Sequence, residues 1–152
     1  MRTLFLGSDH GGFGLKQELV QILTAAGYAV EDYGVHDPTS VDYPDIAKIV
    51  CEGVLSRQHS LGILCCGTGI GMSIAANKID GIRAALCAEG YSARMARVHN
   101  DANVLCLGAR VIGVELAREV ALAFLSVDFE GGRHARRVEK ITLLENTDWR
   151  CR

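Results

Sequence analysis

Residues 61–71 have the sequence LGILCCGTGIG, an apolar run that ends in a turn with three glycines. A short apolar run bounded by glycine predicts a β-strand over 61–65, and a helical pattern follows from residue 72. Glycines at every second position let successive backbone N–H groups point the same way, and the following helix adds the positive end of its dipole. Two interpretations fit this turn: an anion-binding loop and a plain tight turn.

The turn does not carry either of the common nucleotide-binding patterns. The dinucleotide pattern Gly-x-Gly-x-x-Gly fails because Met72 stands where the third glycine belongs. The pattern Gly-x-x-x-x-Gly-Lys-Ser/Thr, which binds the phosphates of ATP, does not occur in the sequence. The sequence therefore disfavours a dinucleotide or ATP as the ligand.

Outward from this segment, short apolar runs alternate with longer helical patterns along the whole chain. The predicted strands cover residues 3–6, 29–33, 61–65, 82–87 and 104–107. The predicted helices cover residues 13–26, 44–55, 72–77, 92–99, 113–126 and 134–145, with Pro44 in the first turn of the second and Ser92 as the cap of the fourth. Strands joined by crossover helices predict an α/β fold with a parallel sheet, which binds its ligands beyond the carboxyl ends of the strands.

The composition is typical of a globular protein, and the length of 152 residues suits one domain over residues 1–152. Lys and Arg total 16 against 18 Asp and Glu, a balance that excludes a basic arm for nucleic acid. The first residues leave no apolar stretch of signal-peptide length, and the most apolar segment, 111–129, carries four charges. We therefore expect neither secretion nor a membrane span.

The six cysteines include no Cys-x-x-Cys pair, so we expect no zinc site, no disulfide framework and a cytoplasmic protein with reduced thiols. Cys66 ends a strand just before a helix, where backbone N–H groups stabilise a thiolate, so it is interpreted as a base or nucleophile, or else as a small core residue. Strand alternation points Cys65 and Cys66 in opposite directions. The cysteines inside apolar runs are interpreted as core residues: Cys51, Cys65, Cys87 and Cys106.

Polar residues in three other places are candidates for the site. Asp9 and His10 follow the first strand and lie at the same sheet edge as Cys66, although an Asp there is also a common helix cap. The dipeptide 99–100, His-Asn, ends a helix, where both residues are structurally ordinary. Arg133 and Arg137 lie four apart, so they share a helix face that fits either a phosphate or solvent.

Seven motifs then follow one another in the order of a known family: GSDHGG at 7–12, VDYP at 41–44, CGTGIGMSIAANK at 66–78, GIRAA at 81–85, HNDANVL at 99–105, GARVIG at 108–113 and EGGRH at 130–134. In these motifs the chain closely resembles type B ribose-5-phosphate isomerases, over about residues 3–143. Cys65 departs from the aliphatic residue that is usual there, and the tail at 147–152 matches no motif.

This resemblance implies a Rossmann-like α/β/α fold and the interconversion of ribose 5-phosphate and ribulose 5-phosphate through a cis-enediol, in the non-oxidative pentose phosphate pathway. No metal and no cofactor are expected. By resemblance Cys66 is the base, Thr68 supports its thiolate, His99 opens the furanose ring and Asp9 shuttles protons between the sugar hydroxyls. The enediolate oxygen is stabilised by backbone amides of the loop, those of Gly67, Gly69, Ile70 and Gly71.

The resemblance also implies how the sugar phosphate is held. Tyr43 and Asn100 match sugar-contacting positions, and the positions that hold the phosphate match His10, Arg110, Arg133 and Arg137. Because the family shares each site between two subunits, a homodimer or a tetramer is expected, with no nucleic-acid or membrane partner. Two other functions fit the same residues: isomerisation of allose or galactose 6-phosphate, and non-catalytic binding of a sugar phosphate.

Overall fold

The computed structural model describes residues 2–145, and within them five strands alternate with helices. The strands are β1 Thr3–Ser8, β2 Ala29–Asp32, β3 Leu61–Cys66, β4 Ala84–Leu86 and β5 Val104–Gly108. The helices are α1 Phe13–Ala25, α2 Tyr43–Ser56, α3 Ile70–Ala76, α4 Gly90–Asn100, α5 Val114–Leu125 and α6 Arg133–Leu143. Every predicted strand and helix is present, with its ends shifted by at most about two residues. The predicted tail at 147–152 lies outside the described residues.

The start of α4 corrects the prediction that Ser92 caps this helix. Glu89 is the N-cap residue, and its carboxylate accepts the N–H groups of Tyr91 at 2.6 Å and Ser92 at 2.8 Å. Because the long glutamate side chain reaches over the first turn, the helix begins earlier, at Gly90, and Ser92 lies inside it. Hydrogen bonding from Ser92, and then from Tyr91, lowers the pKa of Glu89 because both bonds favour its charged form.

The described strands form one parallel sheet in the order β2-β1-β3-β5-β4. The central strand β3 pairs with both neighbours, Ser8 lying opposite Cys65 and Gly108 opposite Cys66. This register brings the carboxyl ends of β1, β3 and β5 side by side, so the loops that follow them meet at one sheet edge. The predicted α/β class and parallel sheet are confirmed.

Helices cover both faces of the sheet and bury two apolar cores. On one face α1, α4 and α5 enclose a core that includes Leu19, Cys65 and Phe124. On the other face α2 and α3 enclose a core that includes Val50 and Cys66. The architecture is therefore a three-layer α/β/α sandwich, and Cys65 and Cys66 point to opposite faces, as strand alternation predicts. No helix of residues 2–145 combines the length and hydrophobicity needed to cross a lipid bilayer.

Four buried cysteines fill these cores as neutral thiols. Burial raises the pKa of Cys51 and of Cys65 to about 12 and that of Cys87 to about 11. Burial also raises the pKa of Cys106 well above its usual value. All four are free and remain protonated near neutral pH, which confirms their interpretation as small core residues.

A buried ion pair, which sequence analysis did not predict, joins α1 to the end of β2. The Lys16 side chain is fully buried, and its Nζ donates to both carboxylate oxygens of Asp32, at 2.7 and 2.8 Å, and to the Val35 carbonyl at 2.7 Å. Asp32 also accepts the N–H of Gly34 at 3.0 Å. The lysine charge is thus fully compensated inside the protein.

Candidate active site

Cys66 is the last residue of β3, and its side chain lies at the mouth of the glycine loop, residues 67–71. Its Sγ accepts the backbone N–H of Gly69 at 3.0 Å. Gly69 has a left-handed φ of 78°, and a Cβ there would lie 2.9 Å from the Leu107 carbonyl carbon. Only glycine fits this conformation and this space, and it directs an N–H dipole at the sulfur, an arrangement that stabilises a thiolate.

Backbone contacts with the loop after β5 fix the glycine loop in place. The N–H of Ala109 donates to the Cys66 carbonyl at 2.9 Å, and the N–H of Arg110 donates to the Gly67 carbonyl at 2.9 Å. A Cβ on Gly108 would lie 2.6 Å from the Thr68 carbonyl oxygen, so the two loops touch through their main chains. Thr68 itself accepts the N–H of Ile70 at 3.3 Å through its Oγ1. The loop that surrounds the thiol is therefore rigidly supported.

Asp9 lies next to the glycine loop, at the end of β1. A Cβ on Gly11 would lie 3.3 Å from the Asp9 Oδ1 and 3.2 Å from the Gly67 nitrogen, so the carboxylate and the loop border one crevice. Asp9 is not the N-cap of α1, because that residue is Gly12. The carboxylate accepts the Gly12 N–H at 3.0 Å and is only 8% exposed. The carboxylate thus stabilises the turn and also lies beside the loop.

Tyr43, Arg110 and His10 surround the same loop. A Cβ on Gly71 would lie 2.8 Å from the Tyr43 ring, and a Cβ on Gly67 would lie 3.3 Å from the Arg110 guanidinium. The exposed His10 accepts the Val41 N–H at 3.4 Å through Nδ1, which ties it to the segment before Tyr43. The structure thus brings together a first half-site, consisting of Asp9, His10, Tyr43, residues 66–71 and Arg110.

The remaining predicted site residues form a second group, at the end of α4 and the start of α6. The rings of His99 and His134 stack with their centroids 4.2 Å apart and 12° between their planes. Asn100 is the last residue of α4, and the backbone of the next residue, Asp101, has a left-handed conformation, which confirms the predicted helix end. The second half-site consists of His99, Asn100, Arg133, His134 and Arg137.

Ion pairs hold the end of α4, and with it the second half-site, against the sheet. The Asp101 carboxylate accepts a hydrogen bond from the guanidinium of Arg83 at 2.9 Å on one oxygen and from that of Arg97 at 2.8 Å on the other. Arg83 Nε also donates to the Asn100 carbonyl at 3.0 Å. These contacts fix the backbone on which His99 lies.

No hydrogen bond, ion pair or ring contact joins the two half-sites within residues 2–145. The side chain of Arg133 contacts His134 through a long hydrogen bond of 3.5 Å. Arg133 and Arg137 belong to one helix, one turn apart, and both are exposed. The shared helix face predicted for these two arginines is therefore confirmed.

One group of side chains in the second half-site is of metal-ligating type. His99, Glu130 and His134 carry possible ligand atoms within 4.8 Å of one another. However, Arg133 Nε donates to the Nε2 of His134, and Arg137 adds a second positive charge nearby. These surroundings favour an anion over a cation. Sequence analysis gave no role to His134, although it ends the motif at 130–134.

Comparison with known proteins places the chain among sugar phosphate isomerases. Residues 4–141 match the model of the Ribose/Galactose Isomerase family. The chain is 49% identical over 145 residues to ribose-5-phosphate isomerase B of Escherichia coli, covering 95% of this chain and 97% of that protein. It is 46% identical to D-erythrulose-4-phosphate isomerase of Pectobacterium atrosepticum, covering 97% of this chain and 98% of that protein.

A solved structure is also closely similar. Ribose-5-phosphate isomerase B of Clostridium thermocellum superposes with a TM-score of 0.92 at 52% identity, covering 95% of this chain and 97% of that one. These matches in sequence and in fold define an isomerase. The chain belongs to the ribose/galactose isomerase family, and its resemblance to type B ribose-5-phosphate isomerases is confirmed.

Proposed function

We propose that this chain interconverts D-ribose 5-phosphate and D-ribulose 5-phosphate through a cis-enediolate, in the non-oxidative pentose phosphate pathway. The observation that carries the proposal is the Cys66 thiol at the mouth of the glycine loop, with the Gly69 N–H on its sulfur at 3.0 Å. The family match and relatives named ribose-5-phosphate isomerase B support the substrate.

The chemistry is a proton transfer between two neighbouring carbons. Cys66 removes the C2 proton of the open-chain aldose, the electron pair forms the C1–C2 double bond, and O1 becomes an enediolate oxygen. The proton then returns to C1 while O2 becomes the ketone oxygen, so C1 is reduced and C2 is oxidised within one molecule. Amides of the loop at 67–71, supported by Thr68, stabilise the anionic oxygen, and Asp9 moves the hydroxyl proton between O2 and O1.

The other site residues bind the substrate and prepare it. His99 opens the furanose ring, and Tyr43 and Asn100 contact the sugar hydroxyls. The phosphate dianion would accept charge-assisted hydrogen bonds from three guanidinium groups and one imidazole, two groups from each half-site: His10, Arg110, Arg133 and Arg137.

A homodimer completes the site in this proposal, and a tetramer of two such dimers would retain it. Because the two half-sites share no contact within residues 2–145, each subunit would supply one half-site to a shared site. Ile70 and Ile74 on α3 support a subunit interface beside the first half-site, since they are 51% and 58% exposed. We also propose a single isomerase domain over residues 1–152, located in the cytoplasm, where its buried free thiols would stay reduced.

The proposal is tested by assaying the purified protein with four sugar phosphates and no added metal. Ribose 5-phosphate should give the highest kcat/KM. Erythrose 4-phosphate tests the activity named for the Pectobacterium relative, which is 46% identical. Allose and galactose 6-phosphates test the hexose alternative. A preference for any of these three would replace the pentose as the substrate, and turnover of none of the four would contradict the mechanism.

Replacing Arg137 with alanine should raise the KM for ribose 5-phosphate by roughly 10- to 100-fold, because a hydrogen bond to a charged group contributes about 1.5–3 kcal/mol. The kcat should stay within about threefold, since the arginine would hold the phosphate equally in the ground and transition states. Steady-state kinetics provide the measurement. Arg136→Ala is the matched control, because Arg136 is the adjacent exposed arginine of α6. Equal KM values in the two variants would remove Arg137 from the phosphate site.

Replacing His99 with asparagine should lower kcat for ribose 5-phosphate about 100-fold, a typical contribution of acid–base catalysis. Ribulose 5-phosphate has no ring to open because its O5 carries the phosphate, so its kcat should fall less than about threefold. Initial rates in the two directions make the comparison, with the exposed His36→Asn as control. An equal loss in both directions would contradict the ring-opening role.

A further inference from the structure

The His99 imidazole stacks on a ring that is distant in sequence, that of His134. The two ring centroids are 4.2 Å apart and the planes differ by 12°, so the rings lie face to face. His134 is 5% exposed, whereas the His99 side chain is partly open to solvent. The buried ring is thus a fixed surface on which the accessible ring rests.

His134 is itself fixed by the backbone that leads into α6. Its N–H donates to the Gly131 carbonyl at 2.9 Å, and Gly131 and Gly132 both have positive φ angles, of 70° and 52°. The N–H of Glu130 donates to the Val98 carbonyl at 3.0 Å, one residue before His99. The glycine bend and this hydrogen bond lock the start of α6 onto the last turn of α4.

Burial and the neighbouring charges both favour the neutral form of the His134 ring. Burial lowers its pKa, and the nearby His99, Arg133 and Arg137 lower it further, while Glu130 alone acts in the opposite direction. The His134 Nε2 accepts Arg133 Nε at 3.5 Å and lies 3.7 Å from the Glu130 carboxylate. These are the charged and titratable groups that face His134 from α4, from the preceding segment and from α6.

We propose that His134 is a positioning residue for ring opening: its buried ring holds the His99 imidazole in the plane that proton transfer requires. The inference rests on the proposed function. Opening the furanose breaks the C1–O4 bond, the O1–H proton leaves as C1 becomes a carbonyl, and O4 gains a proton. His99 donates to O4 and recovers a proton from O1, so no proton is gained or lost overall. Both proton transfers require the imidazole nitrogens to point at the sugar oxygens. An imidazole that is free to rotate therefore performs these transfers poorly.

The experiment compares two replacements of similar bulk at this buried position, His134→Leu and His134→Phe. Leucine fills the space without a flat ring and should lower kcat for ribose 5-phosphate about tenfold, part of the full acid–base contribution, with KM within about threefold. Phenylalanine restores a stacking surface and should recover most of this loss. Both variants should convert ribulose 5-phosphate at nearly the wild-type rate. His36→Leu, at an exposed histidine, is the control.

Proton NMR of His99 gives a readout that is independent of turnover. Ring-current shifts of its carbon-bound protons should be present in wild type and His134→Phe and lost in His134→Leu. Equal losses in both reaction directions, or no recovery with phenylalanine, would overturn the inference while leaving the proposed function intact. A wild-type protein that converts neither pentose phosphate would overturn the proposed function and the inference together. If His134→Leu does not fold, His134→Phe alone still tests the inference. A His134→Phe variant that turns over at the wild-type rate but shows no ring-current shifts on His99 would overturn it.

Discussion

Replacing Cys66 with alanine should lower isomerase turnover about 1,000-fold or more, because the substitution removes the thiol that we propose as the base for the C2 proton. The fold should be unaffected, since alanine preserves the strand and removes one atom at the edge of the core. Phosphate protection against thermal unfolding should also be unchanged, because the phosphate would contact arginines and His10 rather than the thiol. Steady-state rates and a phosphate-dependent melting curve measure both effects.

The neighbouring cysteine provides the matched control. Cys65 is fully buried on the opposite face of the sheet, and burial raises the pKa of its thiol to about 12, so it cannot act as a base near neutral pH. Cys65→Ala should retain turnover and lose about 1 kcal/mol of stability through the small cavity that it leaves. Wild-type rates in Cys66→Ala, or equal losses in the two variants, would remove Cys66 from the chemistry.

Replacing Lys16 with alanine should lower the free energy of unfolding by about 3–5 kcal/mol, the usual cost of breaking a buried ion pair. The change leaves the Asp32 carboxylate without the Nζ that contacts both of its oxygens, and it opens a cavity among α1, β1 and β2. Combining Lys16→Met with Asp32→Asn removes both charges together and should recover much of this loss. Denaturant unfolding followed by circular dichroism measures the three variants.

Lys48→Ala is the control for this prediction, because Lys48 is an exposed lysine whose Nζ lies 3.9 Å from the Glu52 carboxylate in α2. Exposed pairs of this kind contribute little, so its unfolding midpoint should match that of wild type. Identical midpoints for Lys16→Ala and Lys48→Ala would show that the buried pair does not stabilise the fold.

The sequence predicted the secondary structure because its signals are local. Apolar runs that end in glycine, and helical periodicity between them, gave every strand and helix, and strand alternation gave the opposite directions of Cys65 and Cys66. The prediction that Ser92 caps α4 was wrong, and the reason is also local. Serine is the more common cap, but here the Glu89 side chain, three residues earlier, accepts the N–H groups of Tyr91 and Ser92, so the helix begins at Gly90.

Contacts between distant parts of the chain were not predictable in the same way. Lys16 is a charged residue on a helix, and nothing in the periodicity of α1 marks it as buried; only β2 brings Asp32 within reach. Similarly, His134 stacks on His99 across 35 positions, and both are ordinary residues at helix ends. Residue patterns alone do not divide the site residues into two groups; only the resemblance in the motifs implied a site shared between two subunits.

The opposite directions of the adjacent cysteines on β3 affect how the protein responds to oxidative stress. A disulfide needs its two sulfurs about 2 Å apart, and neighbouring residues of an extended strand point their sulfurs to different sides of the sheet. Cys65 and Cys66 therefore cannot form a disulfide with each other while the strand is intact. Peroxide damage at Cys66 would have to proceed through a sulfenic acid or a mixed disulfide with a small thiol, both of which cellular reductants reverse.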